Sequence, residues 1–160
     1  ESSRILHRTP GQDAAVVGLL ENLRRMFRAE LAEITLLPAQ DDQPYLRTTV
    51  APGVSAVMEP VDGSHLGAVL QGVVSAGQPV LQTDPSGMDG PIERLGHPLR
   101  NAMVVPLTAE GRVIGTLLVG DRMSDISTFE DGELRLLETL GAQVALALGN
   151  GQLEQAVSRL

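Results

Sequence analysis

Between residues 101 and 160 the spacing of apolar positions changes twice. Residues 101–107 (N-A-M-V-V-P-L) and 112–120 (R-V-I-G-T-L-L-V-G) are aliphatic and β-branched runs. They are joined by Thr108-Ala109-Glu110-Gly111, a short polar connection with Gly where a left-handed residue is usually needed, which predicts a β-hairpin. After a polar loop (121–126), Ser127-Thr128-Phe129-Glu130 predicts a helix start: a hydroxyl at the N-cap and a glutamate three residues on, able to bond back to the cap's own N–H. Leu134, Leu137, Leu140, Val144 and Leu148 then recur at steps of three or four. Their stripe must be buried, and the hairpin is the nearest partner. From Leu146 the step changes again. Leu146, Asn150, Leu153, Val157 and Leu160 alternate four and three, the spacing of a coiled-coil seam with Asn150 at an a-type position. Gly149 and Gly151 flank that Asn, each costing a helix about 0.8 to 1 kcal/mol relative to Ala. The joint is either a helix end or a hinge. The amphipathic, proline-free stretch 152–160 favours a continuous helix.

Earlier in the chain, residues 1–8 show no period and read as a lead-in. Thr9-Pro10 reads as N-cap and first helical residue, and Val16, Leu19, Leu20, Leu23, Met26 and Phe27 predict an amphipathic helix to about Arg28. Its apolar face serves core packing, dimerisation, or both. Residues 33–37 (E-I-T-L-L) predict a short strand closed by Pro38, and 45–50 a second. Residues 54–60 are ambiguous between strand and loop. Asp62-Gly63-Ser64 then predicts the cap of a helix running to Ala76, with Leu66, Val69, Leu70, Val73 and Val74 on one face and Gly77 at its end. Residues 80–82 predict a small strand. The stretch 83–100, with three Pro and three Gly, predicts a long loop with one helical turn at 92–95.

The run G-R-V-I-G-T-L-L-V-G-D-R, followed by S-T-F-E-D-G-E-L-R-L-L-E-T-L-G-A-Q-V-A-L-A-L-G-N-G-Q-L-E, resembles the C-terminal half of a GAF domain, the small sensory module of many bacterial signalling proteins. Phe129, Asp131, Leu136-Leu137, the segment L-G-A-Q-V-A at 140–145 and Asn150 carry the resemblance; the first half fits by element order alone. It implies an α/β (α+β) fold of GAF/PAS type: a central antiparallel sheet of five or six strands with helices on both faces. The terminal helices lie on one side, and the 64–76 helix and long loop on the other. It divides the chain into a lead-in (1–8), a GAF domain (9–148) and the start of a signalling helix (149–160). In the family a ligand, where there is one, lies between sheet and roof, which here points to Leu66, Val69, Leu81, Arg94, His97, Met103, Val105 and Leu118. Of these, Val69, Leu81, Met103, Val105 and Leu118 are expected to approach one interior space. Val16, Leu20, Leu23, Phe27, Leu146, Asn150, Leu153 and Val157 are the candidates for a parallel dimer through the terminal helices.

Composition narrows the chemistry. With 160 residues and 42% apolar side chains the chain is long enough to bury its own core. A net charge of −8 without a basic patch argues against nucleic acid, and no apolar run approaches bilayer length, so no membrane insertion is expected. Zero Cys removes disulfides, a thiolate nucleophile and the thioether that tethers a bilin in many photoreceptors of the family. It also removes the cysteine route by which a few GAF-like proteins reduce methionine sulfoxide. His65, at a helix start, and His97, beside Pro98, fit singly hydrogen-bonded imidazoles better than haem or metal ligands. Asp62, Ser64 and His65 fit a cap better than a nucleophilic triad, and Arg94 and Arg100 fit ion pairs or a solvated rim. Cyclic-nucleotide-binding members carry an N-K…F…D-E pattern; here Asp121-Arg122 replaces the first pair and Gly132 separates Asp131 from Glu133, which argues against cyclic GMP or AMP. One Tyr and two Phe leave few rings for stacking, so the expectation is an aliphatic pocket or none, and no cofactor.

Two readings stay open: a cytoplasmic regulatory sensor that binds a small molecule, and a ligand-free dimerisation relay. The chain starts without Met and stops inside a helical pattern, so an output domain is expected elsewhere in a longer protein. By resemblance that output is a diguanylate cyclase or cyclic-di-GMP phosphodiesterase, or else a histidine kinase or phosphatase. The fragment itself is not expected to be an enzyme.

Overall fold

The computed structural model describes residues 10–38, 40, 42–83, 92–122 and 129–150. Six strands form one fully antiparallel sheet in the order β3-β2-β1-β8-β7-β4. They are β1 (Ala29–Leu36), β2 (Tyr45–Ala51), β3 (Val54–Val61), β4 (Val80–Gln82), β7 (Ala102–Ala109) and β8 (Arg112–Arg122). Two further strands, β5 (Glu93–Arg94) and β6 (His97–Pro98), pair only with each other. Helices α1 (Pro10–Phe27) and α3 (Asp131–Asn150) cover one face of the sheet, and α2 (Ala68–Ala76) the other. Among the described residues no helix is long and apolar enough to cross a membrane.

Most expected elements form, with instructive shifts. The β7–β8 hairpin closes on two residues, Glu110 and Gly111, at φ 54° and 79°; positive φ at both matches the twist of the paired strands. Strand β1 starts four residues before the expected 33, because Ala29, Leu31 and Ala32 pair with β8 and are buried against the helices, while Glu30 between them stays exposed. Residues 54–61 are a strand whose alternation is broken at Met58 (φ 50°), where the register with β2 slips and the Met58 N–H donates to Thr48 Oγ1 at 3.0 Å. That bulge turns Met58 into the core and hides the strand's period of two.

Three expectations are corrected. Asp62 does cap, its Oδ1 accepting the Ser64 N–H at 3.1 Å, but it caps a single 3₁₀ turn (Gly63–His65); Gly67 at φ 93° then breaks the chain, and α2 begins at Ala68. Residues 92–95 are not a helical turn. They enter a hairpin whose bend is Leu95 (φ 55°) and Gly96 (φ 86°). Helix α3 starts at Asp131, not after Ser127, which lies outside the described residues. Glu133, rather than Glu130, reaches back, its Oε1 accepting the Glu130 N–H at 3.0 Å.

The face under α1 and α3 is apolar packing, with a 400 Å³ cleft where Ala142 and Leu146 of α3 meet Ile114 and the β7–β8 turn. Ala32, Ile34, Val50, Met103, Val105, Leu107, Leu117 and Val119 meet Leu19, Leu20, Leu23 and Phe27 of α1 and Leu137, Leu140 and Val144 of α3. Gly141 lets α3 settle close: a Cβ there lies 3.2 Å from Val105 Cγ2. This packing corrects one candidate set. Val16, Leu20, Leu23 and Phe27 are at most 1% exposed, buried against their own sheet, so a second copy cannot reach them without opening the core.

Candidate functional site

The opposite face of the sheet has different chemistry. Antiparallel partners share a face. On this side β1 presents Leu31, Glu33 and Thr35; β2 presents Arg47 and Thr49; and β8 presents Thr116 and Leu118. Leu31 and Leu118 pack under α2 with Leu66, Leu70, Val73, Ile92 and Leu99, while the β2 side is polar and nonetheless buried. Glu33 is 0% exposed at the centre of that polar patch.

Arg94, carried by the β5–β6 hairpin, closes on Glu33 as a fork: Nε donates to Oε1 at 2.7 Å and Nη2 to Oε2 at 3.0 Å. Thr49 Oγ1 donates to Oε1 at 3.2 Å. Thr35 Oγ1 lies 3.5 Å from Oε2 and accepts from Arg47 Nε at 3.2 Å, which places the Arg47 guanidinium 3.5 Å from the same carboxylate oxygen. Arg47 Nη2, Thr116 Oγ1 and both amide atoms of Gln82 are buried without a hydrogen-bond partner. Orphaned buried polar atoms of this kind cost about 1–3 kcal/mol each. Asp13 Oδ1, Arg24 Nε and Arg122 Nε are orphans as well, so what marks this patch is that Arg47 and Thr116 stand in one cross-strand row beside the buried Glu33. Burial pushes the Arg47 guanidinium below its ordinary range and nearby Arg94 adds to this, while Glu33 and, more weakly, Glu59 raise it again. Arg47 remains a cation at neutral pH.

Beside Arg94 opens a cleft of 220 Å³, walled by residues 66–70 at the start of α2 and by Ile92, Glu93 and Arg94. The structure therefore brings together four of the eight expected pocket residues. Leu66, Val69, Arg94 and Leu118 belong to the α2 side. Leu81, Met103 and Val105 belong to the α1/α3 side, which corrects the expectation of one shared space. The cause is the period of two: a strand covered on both faces is apolar at every position, so its sequence does not say which residues face which layer. Val104, between Met103 and Val105, faces α2, as does Ala102 of the same strand. His97 stands opposite Arg94 in the hairpin. Glu33, Thr35, Arg47, Thr49 and Thr116 are the site residues that the sequence pattern did not single out. Their signal was present in E-I-T and R-T-T, polar side chains recurring in strands otherwise rich in aliphatics.

A family model of the GAF domain matches residues 12–149. The chain belongs to the GAF domain family. Solved structures agree in fold at low identity. The PixJ GAF domain of Thermosynechococcus elongatus, in its blue-light-absorbing form, superposes with a TM-score of 0.67 at 15% identity, covering 99% of this chain and 97% of that one. The GAF domain of a phosphoenolpyruvate-protein phosphotransferase from Coxiella burnetii gives 0.66 at 14%, covering 93% and 89%. Free methionine-R-sulfoxide reductase of Neisseria meningitidis, solved with its substrate, gives 0.61 at 19%, covering 91% and 79%. In sequence, diguanylate cyclase A of Treponema denticola is 38% identical over 55 residues, 34% of this chain and 15% of that protein's length.

In this GAF domain the positions set against the cyclic-nucleotide pattern do not line the cleft. Arg122 Nη1 pairs with both carboxylate oxygens of Glu133 at 2.6 Å, and its guanidinium lies 5.3 Å from the centre of the Phe129 ring. Phe129 is buried in the α1/α3 core. Together they fasten the end of β8 to the first turn of α3. Arg100 is largely exposed at the same end, its Nη2 donating to the Arg122 carbonyl at 3.0 Å and its backbone N–H to Asp121 Oδ1 at 2.6 Å.

Proposed function

We propose that this GAF domain is a non-catalytic cytoplasmic sensor that binds a small molecule between sheet and α2 and passes its occupancy through α3 to a covalently linked output domain. The contrast between the two faces carries the reading: under α1 and α3 the sheet is filled by one apolar cluster and the cleft on that side lies out at the β7–β8 turn, whereas the α2 face keeps a cleft directly beside a buried charge cluster. Differential binding to two arrangements of the α2 layer is what such a site supplies to a switch. The partial match to a diguanylate cyclase supports a cyclic-di-GMP output, a cyclase or a phosphodiesterase. Native mass spectrometry of the purified chain after incubation with a bacterial metabolite extract tests the sensory reading. A noncovalent adduct that disappears on denaturation is expected, and a chain that never carries added mass contradicts it.

The dimer belongs to the same proposal, carried by α3 alone. Leu136 and Leu146 are 44% and 65% exposed, and Thr139 and Gln143 between them are exposed too. These four take alternating three- and four-residue steps, and the series continues through Asn150 to Leu153, Val157 and Leu160, the last three outside the described residues. The helix runs through Gly149 to Asn150. Leu146→Asp is expected to convert a sedimenting dimer to a folded monomer at tens of micromolar. A wild-type monomer, or an unchanged dimer in the variant, contradicts the seam.

A further inference from the structure

We propose that the ligand of this face carries one compact anionic group, a carboxylate or a phosphate, received by Arg47 Nη2 and the hydroxyl of Thr116. The inference rests on the sensory reading and adds the ligand's chemistry to it. Arg47 pairs with Thr35 across β2 and β1, and Thr35 pairs with Thr116 across β1 and β8, so the three side chains stand in one row on one face of the sheet. Cross-strand neighbours in such a row have Cβ atoms about 5 Å apart. Arg47 is drawn along that row, its Nε on Thr35 Oγ1 at 3.2 Å, which sets its guanidinium one strand from Thr116. Both ends of the row are orphans: Arg47 Nη2 and Thr116 Oγ1 are buried without a partner.

The chemistry of the orphans selects the guest. A guanidinium only donates, and a hydroxyl can turn its proton toward an acceptor, so the complement is a group with two acceptor oxygens. Charge points the same way. Arg47 and Arg94 share one buried carboxylate, Glu33, which already receives the Arg94 fork and the Thr49 hydroxyl. Glu59, opposite Arg47 on β3, is exposed and forms no ion pair with it. Within the patch Glu33 alone thus faces two cations, with Glu59 acting on Arg47 only weakly from the exposed side, and an anionic guest compensates the remainder where a neutral guest or a water does not. The cleft beside Arg94, at 220 Å³, is small and is lined by neither Arg47 nor Thr116, so it takes only the part of the ligand that extends away from the anionic group. Its walls at Leu66, Val69, Leu70 and Ile92 suit an aliphatic body.

Calorimetric titration and thermal unfolding of the whole chain with sodium phosphate and with sodium acetate, each against chloride at equal ionic strength, test this. A saturable rise in the unfolding midpoint is expected with one of the two anions, and whichever acts identifies the head group. Thr116→Val, a near-isostere suited to a strand, is expected to weaken that binding about tenfold. Arg47→Met is expected to abolish it. No effect beyond chloride, or saturable binding unchanged in both variants, overturns the proposal. A neutral metabolite bound equally by wild type and Arg47→Met overturns it while leaving the sensory reading intact, whereas a chain that binds neither anions nor any metabolite overturns both.

Discussion

Glu33→Gln is expected to lose about 3–5 kcal/mol of unfolding free energy, measured by urea denaturation, although the substitution removes no bulk. Glu33 is wholly buried, and two guanidinium groups depend on it, Arg94 through a two-bond fork and Arg47 at 3.5 Å. Removing one partner of a buried ion pair costs far more than the pair contributes, because the remaining charge keeps its desolvation penalty and loses its compensation. Here two cations are left. Against the roughly 5–15 kcal/mol that holds a typical domain together, the loss is a large share. A double-mutant cycle isolates the cause: Arg94→Met added to Glu33→Gln is expected to cost much less than the sum of the singles, since the second change removes the orphan that the first created. Additive effects contradict the role given to this pair. Because the β5–β6 hairpin pairs with no strand of the main sheet, the Arg94 fork is also its polar tether to that sheet.

Leu20→Ala is the second large effect, with an expected loss of about 2–5 kcal/mol. Leu20 is 0% exposed and packs with Leu19, Leu23 and Phe27 against the sheet face of Ala32, Ile34 and Val119. The loss should be independent of protein concentration, as it must be when the contact lies within one chain. A destabilisation that fades at high concentration contradicts the assignment of α1 to the monomer core. Leu146→Ala, by contrast, is expected to shift monomer stability by no more than about 0.5 kcal/mol, since that side chain is 65% exposed.

The terminal helices, the four long central strands and the β7–β8 turn were legible because each carries its own local signal, a 3.6-residue stripe, an aliphatic run or a glycine at positive φ. The α1 stripe showed that Leu20 and Leu23 are buried but not against what, because periodicity marks a face and never names its partner. The β5–β6 hairpin was missed because its bend places Leu95, a poor residue for φ 55°, before Gly96, with none of the Asn-Gly chemistry that announces such turns. The site was missed for a different reason. Glu33 gains its meaning from Arg94, 61 residues away, and from Arg47 on a neighbouring strand, and no local pattern reports a contact of that range. Pro and Gly in 83–100 announce a loop, and Arg94 within it fits a pocket residue held in an ion pair, which forms; its partner, Glu33, is what no local signal names.

Native-state hydrogen exchange in wild type and Glu33→Gln tests most directly whether the two faces of the sheet do different work. Amides of β1, β7 and β8 are predicted to open only with global unfolding, while α2 and the β5–β6 hairpin open at lower free energy and lower still in Glu33→Gln. If α2 and the hairpin exchange at the same free energy as β7 and β8 in both proteins, the chain is one indivisible core and the account of a separable ligand-binding layer is contradicted.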